Sequence, residues 1–562
     1  MSLTHQPWFR KFLVSLVGRP RLGKFVKASK DLKGSQQAVL AELIELNKNT
    51  AFGKDHGLAS VKTVPDYRKA VPIRTFEGHR PYVDRICNGE ADVLCPGKPL
   101  FYTNTSGTTT KPKHIPVFGA YWKKYNDMSK VWLYATLVDN PTLYHGQSLS
   151  MVAPAEEGTV PDGTPYGSIS GVTYRNIPSV LKSTYSAPYS VVCIKDHIKK
   201  YYAVMRCGLA TDISFIISAS PSNVIRLHEV AAGSWEDIVR DIRDGTMRDD
   251  VAAEIDPAGR EAVLSGFTPD PARASFLEKL MSVHGDGLRP KHYWPKLACV
   301  NTWVQGSASL TIPRLRGYFP AAASIRAFGY WASEIRGGLV LGNDWDYSVL
   351  AAHAGLYEFI PEEERRSGSA SVLGPDQVEV GRSYYLVFTN GSGLYRYDIN
   401  DLVTITGHFN EYPLFRFVRR GEGETDIAGE KLAEPQVIQA VHQTAEREKI
   451  EVPFFVMFCD KESRVYRLFV EYGAGTPPEK KAVFVSLVDQ TLKSFQYEYE
   501  RKRGSGRLDA PVAAELMAGS YEAFKEKLCT AGMARAAQFK DVYLRDRPEV
   551  LPLLNGLVVD KK

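Results

Sequence analysis

The sequence predicts an α/β protein: a large N-terminal domain of mixed sheets and helices, joined across a hinge to a small C-terminal α+β domain. Three observations lead there. Strand-like apolar runs alternate with helix-spaced segments, as in H-I-K-K-Y-Y-A-V-M-R-C-G-L (197–209) followed by I-S-F-I-I-S-A-S-P-S (213–222), a pattern of buried strands between helices. A strand-like approach at L-F (100–101) runs into the small-residue stretch T-S-G-T-T-T-K-P-K (105–113), the geometry expected of a nucleotide site in an open sheet. Near 418–424 the chain passes from F-R-F-V-R-R into the glycine-rich, charged G-E-G-E-T, which leaves a C-terminal unit of ordinary domain size.

At 562 residues the chain exceeds one core and calls for two or three domains. Its 44% hydrophobic and 24% charged content is that of a soluble globular protein. The net charge of +6, from 70 basic against 64 acidic residues, is too mild for a dedicated nucleic-acid binder, yet sufficient for an anionic small substrate. Seven scattered cysteines without a C-x-x-C pair read as reduced thiols, so the expected compartment is the cytoplasm. W-F-R-K-F-L-V-S-L-V (8–17) lacks a small-residue cleavage site and argues against a secretory signal, leaving a weak membrane-surface helix open. No run approaches the length of an integral membrane span.

Taken in order, residues 1–60 read as helical, with Val39, Leu40, Leu43, Ile44 and Leu46 largely on one side. The stretch Phe101 to Val117 follows a turn-rich approach. Thr105, Ser106, Gly107, Thr108 and Thr109 offer hydroxyls and N–H groups that can converge on anionic oxygens, and Lys111 and Lys113 supply counter-charge. It is not a Walker loop, since G-x-x-x-x-G-K-[ST] is absent and Pro112 and Pro116 prevent a helix directly behind the glycine. An ordinary Ser/Thr-rich surface loop explains the composition equally well.

A helix is expected over 118–138, with Tyr121, Tyr125, Met128 and Trp132 on one stripe. A core stripe is the better explanation, although a helix behind a phosphate loop can also wall an acyl pocket. Gly158–Gly171 reads as a loop that lets a ligand approach the backbone near Ser168. After a charged helical region (234–290) and a strand at 299–306 that ends in Gly306 comes I-R-A-F-G-Y-W-A-S-E (325–334). Gly329, Tyr330, Ser333 and Glu334 there combine an aromatic able to stack on a purine, a hydroxyl and a carboxylate able to hold a divalent cation; a buried tyrosine with a Ser-Glu helix cap accounts for them equally. L-Y-R-Y-D-I-N-D-L-V (394–403) reads as a hairpin or strand end, in which Asp401 is either a bidentate acceptor for ribose hydroxyls or a surface turn residue. Beyond the boundary a helix is expected from 427, then strands at 454–458 and 466–472, and a helix at 479–495.

The first motif resembles the phosphate loop of the acyl-adenylate-forming superfamily, T-S-G-T-T-G-K-P-K-G, with Thr110 and His114 where that superfamily has glycines. Over nearly the whole chain, from N-K-N-T-A-F-G-K-D-H-G (47–57) to Q-F-K (538–540), the order of motifs resembles the auxin-responsive acyl acid amido synthetases, their bacterial members in particular. The resemblance implies a domain of residues 1–418 that binds ATP and the acyl acid, a hinge at 419–424 and a mobile domain at 425–562. It implies that Thr105–Thr109 and Lys113 hold phosphate, that Gly329, Tyr330, Ser333 and Glu334 line the adenine and place Mg2+ on Glu334, and that Asp401 grips ribose. Arg420 matches the arginine before the hinge, Lys431 the lysine entering from it, and Lys540 that of a C-terminal Q-Y-K; Tyr125, Met128, Ser168 and Gly306 fall to the acyl pocket.

Two departures stand in the third motif, Y-R-x-G-D in that family: Asp398 replaces the arginine and Asn400 the glycine. Asparagine tolerates a left-handed backbone, so the turn can survive. A carboxylate beside a polyphosphate is harder to reconcile. The implied activity is adenylation of a carboxylic acid by ATP and Mg2+, followed by transfer of the acyl group to an amine, an amino acid above all. The alternatives are an acyl-CoA ligase using a thiol acceptor, and a catalytically impaired protein that binds a nucleotide or an acyl acid. The lack of G-x-S-x-G disfavours a serine hydrolase.

Overall fold

The computed structural model describes residues 6–105, 113–367, 371–421, 424–425, 427–428, 430, 432–463, 465–504, 506, 508–534, 539 and 541–559. It divides into two compact units, Met1–Val418 and Arg419–Lys562. In the first, helices Pro7–Ala28 and Leu32–Asn47 precede the sheets. Asp31 caps the second through Gly34 N–H, and its residues Leu32, Val39, Leu40 and Leu43 are buried at helical spacing. Its buried Gln36 does more than pack. The amide donates to the carbonyls of Ala352 and Gly355 and its oxygen accepts Tyr357 N–H at 2.9 Å, which fixes the 352–357 backbone.

Strands β1 (Phe101–Thr105) and β2 (Lys113–Val117) form an antiparallel pair closed by Thr105 opposite Lys113, so the two ends of the 106–112 stretch meet. Helix Gly119–Asp139 starts only after Pro116, in line with the expected delay. Next come β3 (Gln147–Met151), β4 (Gly158–Thr159) and β5 (Pro165–Gly167). The expected loop at Gly158–Gly171 is therefore corrected to a short β4–β5 hairpin followed by helix Ile169–Arg175, because Tyr166 pairs with Tyr102 and brings β5 parallel to β1.

Strands β6 (Ile213–Ser218), β7 (Cys299–Thr302) and β8 (Ser324–Ala327) join β3 in a fully parallel sheet of order β3-β6-β7-β8. Helices His197–Leu209 and Pro221–Gly233 contribute to the second apolar core, in which Ala203, Val204, Leu209 and Ile213 are fully inaccessible. A six-stranded sheet of order β11-β12-β13-β14-β10-β9 is built from β9 (Gly338–Leu339), β10 (Ser348–Leu350), β11 (Leu356–Pro361), β12 (Ser383–Thr389), β13 (Tyr397–Phe409) and β14 (Tyr412–Arg420). The expected hairpin or strand end at 394–403 is the start of β13, which runs on through Gly407.

In the second unit, β15 (Glu424–Thr425) pairs with β16 (Leu432–Ala433). Strands β17 (Phe454–Asp460), β18 (Val465–Glu471), β19 (Val512–Glu515) and β20 (Leu544–Arg545) form a sheet of order β19-β18-β17-β20. The helix expected from 427 begins at Glu434 instead. Glu430 accepts the N–H groups of Ile427 and Ala428 at 2.8 and 2.7 Å and holds that stretch as a turn, while Pro435 favours the first turn of the later helix. Among the described residues no helix is long and apolar enough to cross a membrane.

Candidate active site

Two chain segments meet to form the centre of the site. The first, Gly329–Gly338, is a tight loop in which Ala332 N–H bonds Ile335 C=O and Gly337 N–H bonds Tyr330 C=O. Gly329 makes it possible: its φ is +107°, and a Cβ there would lie 2.5 Å from Gly338 O. The second is the start of β13, where Tyr385 pairs with Leu402 and Val387 with Asp398, so four steps of β13 span two of β12. This bulge contains Asn400 at φ +62°, the left-handed conformation that the motif's glycine position demands and asparagine tolerates. It re-aims Asp401 toward the loop.

Tyr330 Oη donates to Asp401 Oδ2 at 2.6 Å, with both residues buried. The Tyr330 ring packs edge-on against Phe415, with centroids 5.6 Å apart, and beside Phe417. Its hydroxyl thus fixes a carboxylate. On the same two segments Tyr397 Oη approaches Glu334 Oε1 at 3.5 Å, and Asn390 Nδ2 donates to Glu334 C=O at 2.7 Å. Glu334 is 2% exposed. Ser333 is half-buried on the same loop. Among the described residues no cluster of three His, Cys, Asp or Glu could form an all-protein metal cage. A hard divalent cation at Glu334 would therefore have at most two protein ligands of this kind and take its other oxygens from phosphate and water, which suits Mg2+.

The two departures in the third motif find structural partners. Asp398 is held by a forked pair from Arg365, Nη2 to Oδ2 at 2.8 Å and Nη1 to Oδ1 at 3.1 Å, and it accepts Asn400 N–H at 2.8 Å. Arg365 also donates to Asn400 Oδ1 at 3.0 Å and lies over the Tyr385 ring. The added negative charge is neutralised locally by an arginine 33 residues away. Arg396, the arginine adjacent to the motif, does something else. It is buried on Glu358, Nε to Oε2 at 2.8 Å and Nη2 to Oε1 at 3.0 Å, and donates to the carbonyls of Val71 and Arg68.

Of the remaining sequence-stated candidates, Lys113 sits at the start of β2 with its ammonium 5.7 Å from the centre of the Phe76 ring. Ser106, Gly107, Thr108 and Thr109, the side chain of Thr105, and Lys431 and Lys540 lie outside the described residues. Arg420 ends β14 and belongs to the second unit. Tyr125 and Met128 are buried on helix Gly119–Asp139 and line one cavity with Arg336. Ser168 caps helix Ile169–Arg175 through the N–H groups of Ser170 and Gly171, and Gly306, at φ +60°, packs against Phe417. Arg336, Arg365 and Asn390 escaped sequence reading, although Arg336 stands only two residues beyond Glu334.

Comparison with known proteins gives three consecutive family matches. The GH3 family N-terminal domain covers residues 21–323, the GH3 family central domain 348–420, and the GH3 family C-terminal domain 435–547. The chain is 25% identical over 564 residues to indole-3-acetic acid-amido synthetase GH3.6 of Arabidopsis thaliana, covering 93% of this chain and 90% of that protein. It is 25% identical over 573 residues to the 4-substituted benzoates-glutamate ligase GH3.12 of Arabidopsis thaliana, covering 96% and 98%. The solved structure of the GH3.15 acyl acid amido synthetase superposes with a TM-score of 0.84 over 96% of both chains at 21% identity, a likeness of fold.

Proposed function

The chain belongs to the GH3 family, and on that premise we propose that it is an AMP-forming ligase, an acyl acid amido synthetase that joins a carboxylic acid to an amine, an amino acid above all. The substrate carboxylate attacks the α-phosphorus of ATP. One acyl–oxygen–phosphorus bond forms and the bond to pyrophosphate breaks. The amine nitrogen then attacks the acyl carbon, AMP leaves with the bridging oxygen, and the proton lost by nitrogen passes to solvent or to the phosphate.

Each residue has a stated task. Asp401, oriented by Tyr330, accepts the ribose hydroxyls, because a carboxylate can take two adjacent O–H donors. Thr105–Thr109 and Lys113 hold the phosphates and stabilise the charge that develops on pyrophosphate. Glu334 would hold Mg2+, which when bound lowers the charge on the phosphate oxygens. Arg420 and the 419–424 hinge let the C-terminal domain bring Lys431 or Lys540 to the phosphate for one half-reaction and withdraw it for the other. Within that domain, Tyr466 Oη donates to Glu430 Oε1 at 2.6 Å and so anchors the residue preceding Lys431 to β18. Holding both reactants in one site supplies much of the rate.

Family membership together with the facing of Glu334 and Asp401, through Tyr397 and Tyr330, carries this reading. Pairing of Asp398 with Arg365 weakens the case for an impaired site. The test crosses a panel of carboxylic acids with the twenty amino acids and with CoA, and measures pyrophosphate release and product mass. Acid-dependent pyrophosphate and an amide product are expected. A thioester formed only with CoA, or no pyrophosphate with any acid, would overturn it.

A further inference from the structure

Helix Gly119–Asp139 and the segments around Arg336 and Tyr357 enclose a narrow cavity whose lining includes Tyr121, Tyr125, Met128, Arg336, Tyr357 and Lys124, the last paired with Glu42. Its walls are fixed. Gln36 pins the backbone from Ala352 to Tyr357, and Arg336 is clamped by Tyr125 C=O, Tyr125 Oη at 2.8 Å and Ser129 Oγ. The guanidinium lies between the rings of Tyr125 and Trp331, 3.8 and 3.4 Å from their centres.

Three polar atoms of these lining residues have no hydrogen-bond partner: Arg336 Nε and the hydroxyls of Tyr121 and Tyr357. The three residues are 5%, 5% and 1% exposed. Tyr121, Tyr125, Arg336 and Tyr357 all line the same cavity, so these groups converge on one space. The Arg336 guanidinium donates only to neutral acceptors, a carbonyl and two hydroxyls, and among the described residues no carboxylate pairs with it. A buried cation without a counter-charge, beside orphaned donors, is an incomplete arrangement. An acceptor-only anion completes it.

We propose that this cavity takes a carboxylate of the substrate acid, paired with Arg336 and accepting hydrogen bonds from Tyr121 and Tyr357. The space admits about one water-sized group, so one carboxylate oxygen enters it and the rest of the substrate stays outside. Two sources share this chemistry: the carboxylate being activated, and a second carboxylate at the far end of a dicarboxylic acid. Only the owner of the carboxylate rests on the ligase reading; the site itself does not.

The first arm titrates 13C-acetate, with neutral acetamide as control, into the full-length protein without ATP and follows ligand line width. Wild type binds acetate saturably and ignores acetamide. Tyr121→Phe and Tyr357→Phe weaken acetate about ten- to a hundredfold, the loss expected for one hydrogen bond to an anion. Because each variant deletes an orphaned hydroxyl, the ligand-free melting temperature stays level or rises. Equal response to acetate and acetamide, or variants that melt lower with acetate affinity unchanged, means a buried water only and overturns the proposal.

The second arm compares succinate with its monomethyl ester in acid-dependent ATP–pyrophosphate exchange. If the reacting carboxylate sits here, Arg336→Lys raises KM for both alike. If the second carboxylate does, wild type prefers succinate and Arg336→Met abolishes that preference. Indifference of both substrates to both variants overturns the assignment. Acetate binding without any exchange would contradict the ligase reading and leave the site standing.

Discussion

Replacing Arg365 by alanine leaves Asp398 as an unpaired carboxylate, 10% exposed, at the entrance of the bulge that aims Asp401. The lost contacts are the forked pair at 2.8 and 3.1 Å and the bond to Asn400 Oδ1 at 3.0 Å. Breaking a fully buried pair costs about 3–5 kcal/mol, and Arg365 is 29% exposed, so screening reduces the expected penalty to about 2 kcal/mol. If that penalty falls on nucleotide binding, KM for ATP rises about 30-fold. The double variant Arg365→Ala, Asp398→Ala should recover most of it, because no orphaned charge remains. Steady-state kinetics of acid-dependent pyrophosphate release, with melting temperatures alongside, give the cycle. An unchanged KM in Arg365→Ala, or a double variant no better than the single, would refute the reasoning.

The other expectations are more local. Asp401→Ala and Lys113→Ala should each cut adenylation at least tenfold, about 1.4 kcal/mol of transition-state binding, whereas Tyr330→Phe, losing the 2.6 Å bond to Asp401, should mainly raise KM for ATP; kcat/KM values for the three check this. Gly329→Ala places a Cβ 2.5 Å from Gly338 O at φ +107° and should destabilise the first unit by about 1–3 kcal/mol, read from urea unfolding. Burial pushes Glu434 up to about 7 despite the N–H bonds from Tyr543 and Leu544. A folded value above the unfolded 4.5 stabilises most below 4.5 and loses that contribution as pH rises through 7. The melting temperature of wild type relative to Glu434→Gln should therefore fall between pH 5 and pH 8, and a constant difference would contradict it.

Helical periodicity made much of the fold legible, since helices such as Leu32–Asn47, Gly119–Asp139 and His197–Leu209 bury a face set by neighbours three and four residues apart. What escaped depends on distant partners. The β4–β5 hairpin exists because Tyr166 pairs with Tyr102, 64 residues earlier, and nothing local in Gly158–Gly171 records that. In the site, the motifs named Glu334, Tyr330 and Asp401 as candidates but gave no sign of Arg365 or Asn390. Arg365 and Asn390 reach the same place by sheet pairing and loop closure, and Arg396, adjacent to the motif in sequence, is drawn away by Glu358. Of the substituted residues, Asn400 fits the left-handed bulge as expected, and one remote arginine explains how the chain carries Asp398.

The most direct measurement is carboxylic-acid-dependent exchange of labelled pyrophosphate into ATP by the full-length chain, run beside Asp401→Ala. Label incorporation that requires an acid and drops at least tenfold in the variant is the predicted result. No incorporation with any acid, or equal incorporation by both proteins, would contradict the account.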